Sequence, residues 1–273
     1  MEAQAAYPFS ANRRLEADLS YSHTWWAQSA PVYYFQNGAQ VGQAVQSLPA
    51  PGPLDLGHVG LAYVGDYSFF GFTEPLKGSR WRFDVGGDAG SLFFLTLAAD
   101  IRGYLFLKPF GFAFRLMEAG RWFADADNPA LYDFFLGDPT LVRGYEYYSM
   151  VANEGAGGAN VPQINRLFGS KVAVAKAEIR LPLLGNGEVG VIPFPWLPTT
   201  LVGFFDAGVA WTGSEYPLLT WSTDPSPRIP VFSAGGSVRF NLLGAAVLEI
   251  YFAWPFQRPG VNGSWGFMVA AGW

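Results

Sequence analysis

Ser20, Ser22 and His23 stand close together and are of the types that nucleophilic catalysis needs. A hydroxyl nucleophile requires a base within hydrogen-bond reach and a third group that orients that base. Ser22 and His23 are adjacent, so an extended backbone points them to opposite faces, and no Asn or Asp completes a triad with them. Catalysis is not expected. Asp125, Asp127 and Asn128 have oxygen ligands for a cation, but the spacing lacks the rest of an ion-binding loop. His23 and His58 are the only histidines and cysteine is absent. That removes disulfides, thiolate zinc sites and Cys nucleophiles, and disfavours imidazole clusters. Gly155, Gly157 and Gly158 have no strand-to-helix context and read as a loop, not a phosphate cradle. No cofactor and no metal is expected. What remains is charge pairing: Asp84, Asp88, Asp100, Glu178 and Glu249 alternate with Arg80, Arg82, Arg102, Lys176 and Arg180, which suits a packed ion-pair network better than a channel lining.

The elements that position these charges follow from composition and period. Of 273 residues, 50% are hydrophobic, 17% aromatic and 14% charged, against about 25% charged in an average soluble domain. Such a chain has little with which to cover an aqueous surface. A net charge of −5 and a pI near 5.0 disfavour a basic nucleic-acid surface. The longest uncharged stretch that might qualify as a spanning helix, 189–205, holds Pro193, Pro195 and Pro198, and proline inside a helix costs about 3 kcal/mol or more, so it is not one. The other route through a bilayer is a β-barrel, which pairs its backbone groups between strands and leaves a period-2 pattern. That pattern recurs in ten segments: 14–25, 58–70, 80–88, 92–106, 110–121, 171–181, 201–211, 232–240, 245–254 and 264–273. In the last, Trp265, Phe267, Val269, Ala271 and Trp273 share one face. In 201–211, Leu201, Phe205, Val209 and Trp211 oppose Phe204, Asp206 and Gly208.

A soluble β-sandwich also alternates. Several of these segments, however, run well past the usual 5–6 residues of a strand. Their charges fall almost entirely on one face, and aromatics such as Trp25, Trp81, Trp211 and Trp254 lie near strand ends on the other, where a bilayer interface places them. The expected fold is an all-β antiparallel transmembrane barrel. Long connections (26–57, 122–169, 212–231) fall at one end, the end expected to be extracellular. The start, MEAQAAYPFSANRR, lacks a basic region followed by an apolar one, so the chain is expected to be the C-terminal barrel portion of a longer protein, with residues 1–273 forming one barrel domain.

The long connection 122–169 carries Val142, Arg143, Gly144 and Tyr145, and 201–211 carries Phe204, Asp206 and Gly208. With the terminal aromatic pattern of Trp265, Phe267, Val269 and Trp273, this chain resembles the outer-membrane assembly and translocation barrels of the BamA/TamA type, also called bacterial surface antigens. The resemblance spans most of the chain. It implies a loop that folds into the lumen with Arg143 meeting Asp206, and a C-terminal recognition signal for barrel assembly. It also implies insertion or translocation of proteins at the bacterial outer membrane, with the bilayer, substrate proteins and the assembly machinery as partners. Family barrels have sixteen strands and periplasmic POTRA domains, and the ten strands and absent POTRA repeats here depart from that. The alternative is a passive porin-like or structural barrel.

Overall fold

The computed structural model describes residues 1–154, 162–224 and 228–270. Seventeen strands and two short helices follow one another in the order β1 (Glu2–Ser10), β2 (Arg13–Thr24), β3 (Gln28–Gln36), β4 (Ala39–Leu48), β5 (Leu54–Asp66), β6 (Phe69–Phe70), β7 (Pro75–Gly90), β8 (Phe94–Leu107), β9 (Phe110–Trp122), β10 (Phe134–Phe135), α1 (Tyr147–Glu154), α2 (Pro162–Asn165), β11 (Phe168–Gly169), β12 (Lys171–Gly185), β13 (Ile192–Pro193), β14 (Thr199–Trp211), β15 (Val231–Leu242), β16 (Ala246–Pro255) and β17 (Ser264–Ala270). One antiparallel meander carries the fold, in the order β1-β2-β5-β7-β8-β9-β12-β14-β15-β16-β17. Among the described residues, no helix is long and apolar enough to cross a membrane.

All ten segments read from the alternation are strands of this meander. Two expectations are corrected. Residues 2–10, left outside the strand pattern, form β1 and pair with β2 from Glu2↔Ser20 to Ser10↔Arg13. Residues 28–48, expected within a long connection, form the β3–β4 hairpin, a separate two-stranded sheet. Its turn is Asn37-Gly38, with φ of 49° and 80°. Left-handed backbone at both central positions matches the right-handed twist of hairpin strands, which is why Asn-Gly favours such turns.

The sheet bends into a wall with two chemically distinct faces. On β9, Phe114 and Leu116 are 57% and 61% exposed and point away from the concave side. On β12, Val172, Val174, Lys176, Glu178 and Arg180 point inward and are buried, whereas Ile179 is exposed. This separation is what burial in lipid outside and a packed lumen inside require. The curvature is documented by contacts across the lumen. Glu74, just ahead of β7, lies 2.5 Å from Arg239 on β15, although β8, β9, β12 and β14 separate these strands in the sheet. The Thr73 and Thr200 hydroxyls are 2.8 Å apart. The lumen has its own apolar core. Leu136, Val142, Tyr145, Met150, Ile164 and Leu167 from the 123–170 connection pack on Val172, Val174, Ala210 and Val231 of the wall.

Candidate functional site: the loop anchor in the lumen

The 123–170 connection enters the lumen because its own sequence supplies apolar anchors at Leu136, Val142 and Met150, each at most 1% exposed. Short pairings brace it. β10 pairs with β11, so the outgoing and returning limbs meet as Phe134↔Gly169 and Phe135↔Phe168. The rings of Phe135 and Phe168 stack with centroids 4.5 Å apart. Thr140 offers its carbonyl to Arg115 at 3.2 Å and to Lys176 at 3.1 Å, fixing the loop to the wall just before the Val142–Tyr145 segment.

Arg143 is the centre of the site and is fully buried. Its Nε donates to Asp206 Oδ2 at 2.7 Å and its Nη2 to Asp206 Oδ1 at 2.8 Å. This is the fork-on-carboxylate geometry that a planar guanidinium favours. Nη1 donates to Glu249 at 2.9 Å and Nη2 also to Glu178 at 3.0 Å. The Arg143 backbone N–H adds a bond to Asp206 at 3.2 Å. The guanidinium carbon lies 3.6 Å from the centroid of the Phe204 ring, so a cation–π contact closes the remaining face. Burial opposes the Arg143 charge, but Asp206, Glu178 and Glu249 outweigh it and hold the guanidinium above its ordinary pKa.

The alternation of β14 aims Asp206 inward, and the neighbouring strands deliver the other partners in register. Lys176 sits opposite Asp206 with Nζ 3.8 Å away, and Arg239 sits opposite Glu249 at 2.8 Å. Arg180 pairs with Glu178 at 2.8 Å. Arg239 also reaches Glu178 at 2.8 Å and Glu74 at 2.5 Å.

The other motif residues make the approach possible. Gly208 leaves room for the loop: a Cβ there would lie 2.7 Å from Val142 Cγ2 and 2.9 Å from a Leu136 methyl. Gly144 has φ of 89°, a conformation open to glycine at little cost, and its carbonyl accepts a 2.6 Å bond from Arg258. The Tyr145 hydroxyl lies 3.0 Å from both the Phe232 carbonyl and Gln257 Oε1, and it accepts from the Gln257 N–H at 3.1 Å. Burial pushes the Tyr145 phenol up. Thus Val142, Arg143, Gly144 and Tyr145 come together with Phe204, Asp206 and Gly208. The terminal set lies elsewhere. Trp265, Phe267 and Val269 are 75%, 73% and 66% exposed on the outer face of β17, and Trp273 lies outside the described residues.

Glu74, Gln257 and Arg258 were not singled out in the sequence. Glu74 is an isolated charge in a short connection, and Gln257 and Arg258 lie in the turn after β16; no period or spacing marks them as inward. The alternating charges upstream form wall pairs, Arg82 with Glu16 at 2.6 Å and Arg115 with Asp100 at 2.8 Å. Asp125 and Asp127 cap backbone N–H groups of Phe93 and Gly213, each at 2.8 Å. Gly155, Gly157 and Gly158 lie outside the described residues.

The family model for the Omp85 superfamily domain matches residues 74–272. The chain belongs to that superfamily. The match begins at Glu74 and covers the Val142–Tyr145 loop, the Phe204–Gly208 strand and the whole ion cluster, in agreement with the resemblance that those two motifs carry. Omp85 membership places the chain, at that level, in a class of outer-membrane proteins concerned with protein insertion and translocation. A comparison with curated proteins finds no match.

Proposed function

We propose that this Omp85 protein inserts or translocates proteins at the bacterial outer membrane, in the manner of the BamA/TamA-type barrels it resembles, and does so without enzymatic chemistry. The observation that carries this reading is the Arg143 cluster. A guanidinium with three carboxylates and an aromatic face is a costly arrangement to keep in a lumen, because removing charges from water costs several kcal/mol per ion. An open pore gains nothing from it. It is well suited to holding an inward loop in one position while the wall around it moves. Substrate proteins and the assembly machinery are the proposed partners, and the bacterial outer membrane the proposed location.

The filled lumen weighs against the porin-like alternative, since the loop core occupies the space a wide aqueous channel needs. Two arms of one experiment separate these readings. The protein is reconstituted in lipid vesicles and the folding of an unfolded outer-membrane substrate is followed by its change in gel mobility. Faster substrate folding than in empty vesicles is expected, together with no large, stable conductance in planar bilayers. Large steady channels with no acceleration would overturn the assignment in favour of a passive pore.

A further inference from the structure

The connection between β14 and β15 leaves the wall at the same end as the 123–170 loop. Its segment Tyr216-Pro217-Leu218-Leu219-Thr220-Trp221 carries no charge, and it lies on the outside of the sheet. Trp221 stacks on Phe232, with centroids 5.4 Å apart and planes within 22°, and reaches Phe256 at 6.0 Å. Phe232 in turn lies 5.9 Å from Phe205 on the outward face of β14. The segment therefore extends the apolar outer wall. Among the described residues nothing covers it: Leu219 is 84% and Trp221 63% exposed.

Beside the segment is a depression of about 450 Å³. Ala173, Ala175, Ala207, Leu116, Phe232 and Leu219 line it, with Glu118 at its one charged position. That volume is within the range of sites that take small apolar ligands. The segment is also held in place. Arg228 bonds Glu215 at 2.7 Å, and it donates to the carbonyls of Asn165 and Phe168 at 3.0 and 2.7 Å, in the returning limb of the lumenal loop. The Leu218 N–H donates to the Arg228 carbonyl at 2.8 Å.

We propose that Tyr216–Trp221 is a membrane contact that dips into the acyl chains of the adjoining leaflet, with one acyl chain seated in the Ala173–Ala175–Ala207 depression beside Leu219. The occupant follows from continuity: segment and depression extend a wall whose exposed side chains already require lipid, the segment carries no charge, and Glu118 is the one charged residue in an otherwise apolar lining. Through Arg228 the lipid contact is joined to the loop that Arg143 anchors. This inference rests on the membrane-barrel reading.

The chain has no cysteine, so single-cysteine variants report one site each. Leu219→Cys, Phe114→Cys on the wall and Tyr132→Cys, whose parent side chain is 91% exposed in the 123–170 connection, are labelled with bimane. Each is placed in phosphatidylcholine vesicles whose acyl chains carry bromine. Strong quenching at positions 219 and 114 and none at 132 is expected. Quenching at 114 without quenching at 219 would overturn the membrane contact and leave the barrel reading standing. No quenching at 114 either would overturn both. In the double variant Ala175→Phe, Leu219→Cys the quenching is expected to fall, because the added ring takes the place of the acyl chain; unchanged quenching would overturn the seated chain.

Discussion

Arg143 has few tolerated neighbours or replacements, because its environment is balanced charge by charge. Arg143, Lys176, Arg180 and Arg239 face Glu74, Glu178, Asp206 and Glu249, four cations against four anions. Removing one member of a buried pair leaves a charge without compensation and costs about 3–5 kcal/mol. Asp206→Asn should therefore destabilise the folded barrel by about that amount, read as a lower temperature for loss of the compact form on a gel run without boiling. Arg143→Lys should not restore the wild-type value, since an ammonium cannot span both Asp206 oxygens. Asp127 makes a second, pH-dependent tie near the loop end. Burial works against its charge, but the Ser170 hydroxyl, the Gly213 N–H and the Lys171 charge outweigh it and lower the carboxyl below its usual value. With the folded pKa depressed, its contribution is complete above the ordinary aspartate value of about 3.9 and is lost as pH falls through the folded value. Protease cutting near residues 123–133 should rise on acidification below pH of about 4, and Asp127→Asn should remove that rise.

At the scale of elements, glycines decide how closely the loop and the wall meet. Gly208→Leu changes no charge, yet it places atoms where Val142 and Leu136 now pack. It should displace the Val142–Tyr145 segment and expose the 123–170 connection to protease while β14 stays in the sheet. Protection equal to wild type would contradict the close packing. The strands themselves were legible because one side of each faces the lumen and the other does not, so alternation survives in the sequence. The inward aim of Asp206 follows from the same period. β1 was not legible because its Ala-rich stretch and Pro8 blunt the alternation, and all of its residues are exposed. The β3–β4 hairpin left a signal in Asn37-Gly38 that outweighs its uncharged, glutamine-rich strands. Glu74 left none, because its role exists only once the wall curls far enough to bring β15 opposite β7.

Across the whole molecule, two inward segments meet. The 123–170 connection enters from one end and delivers Arg143, and the 71–75 connection enters from the other and delivers Glu74. Arg239 is shared between them through Glu249 and Glu74. The lumen is thereby held by a polar cluster inside an apolar packing, an arrangement that is specific in position and expensive to break. Composition alone shows the outer half of this design: few charges, many aromatics and a face left for lipid. The inner half depends on contacts between residues up to 165 positions apart, which period cannot supply and the two short motifs only mark. The most direct measurement is hydrogen exchange of the amides from Leu136 to Met150 in vesicle-embedded protein, wild type against Arg143→Ala. Strong protection in the wild type and its loss throughout this segment in the variant, with the strand amides of β12 and β14 still protected, is the expected result. Protection of Leu136–Met150 unchanged by Arg143→Ala would contradict the account.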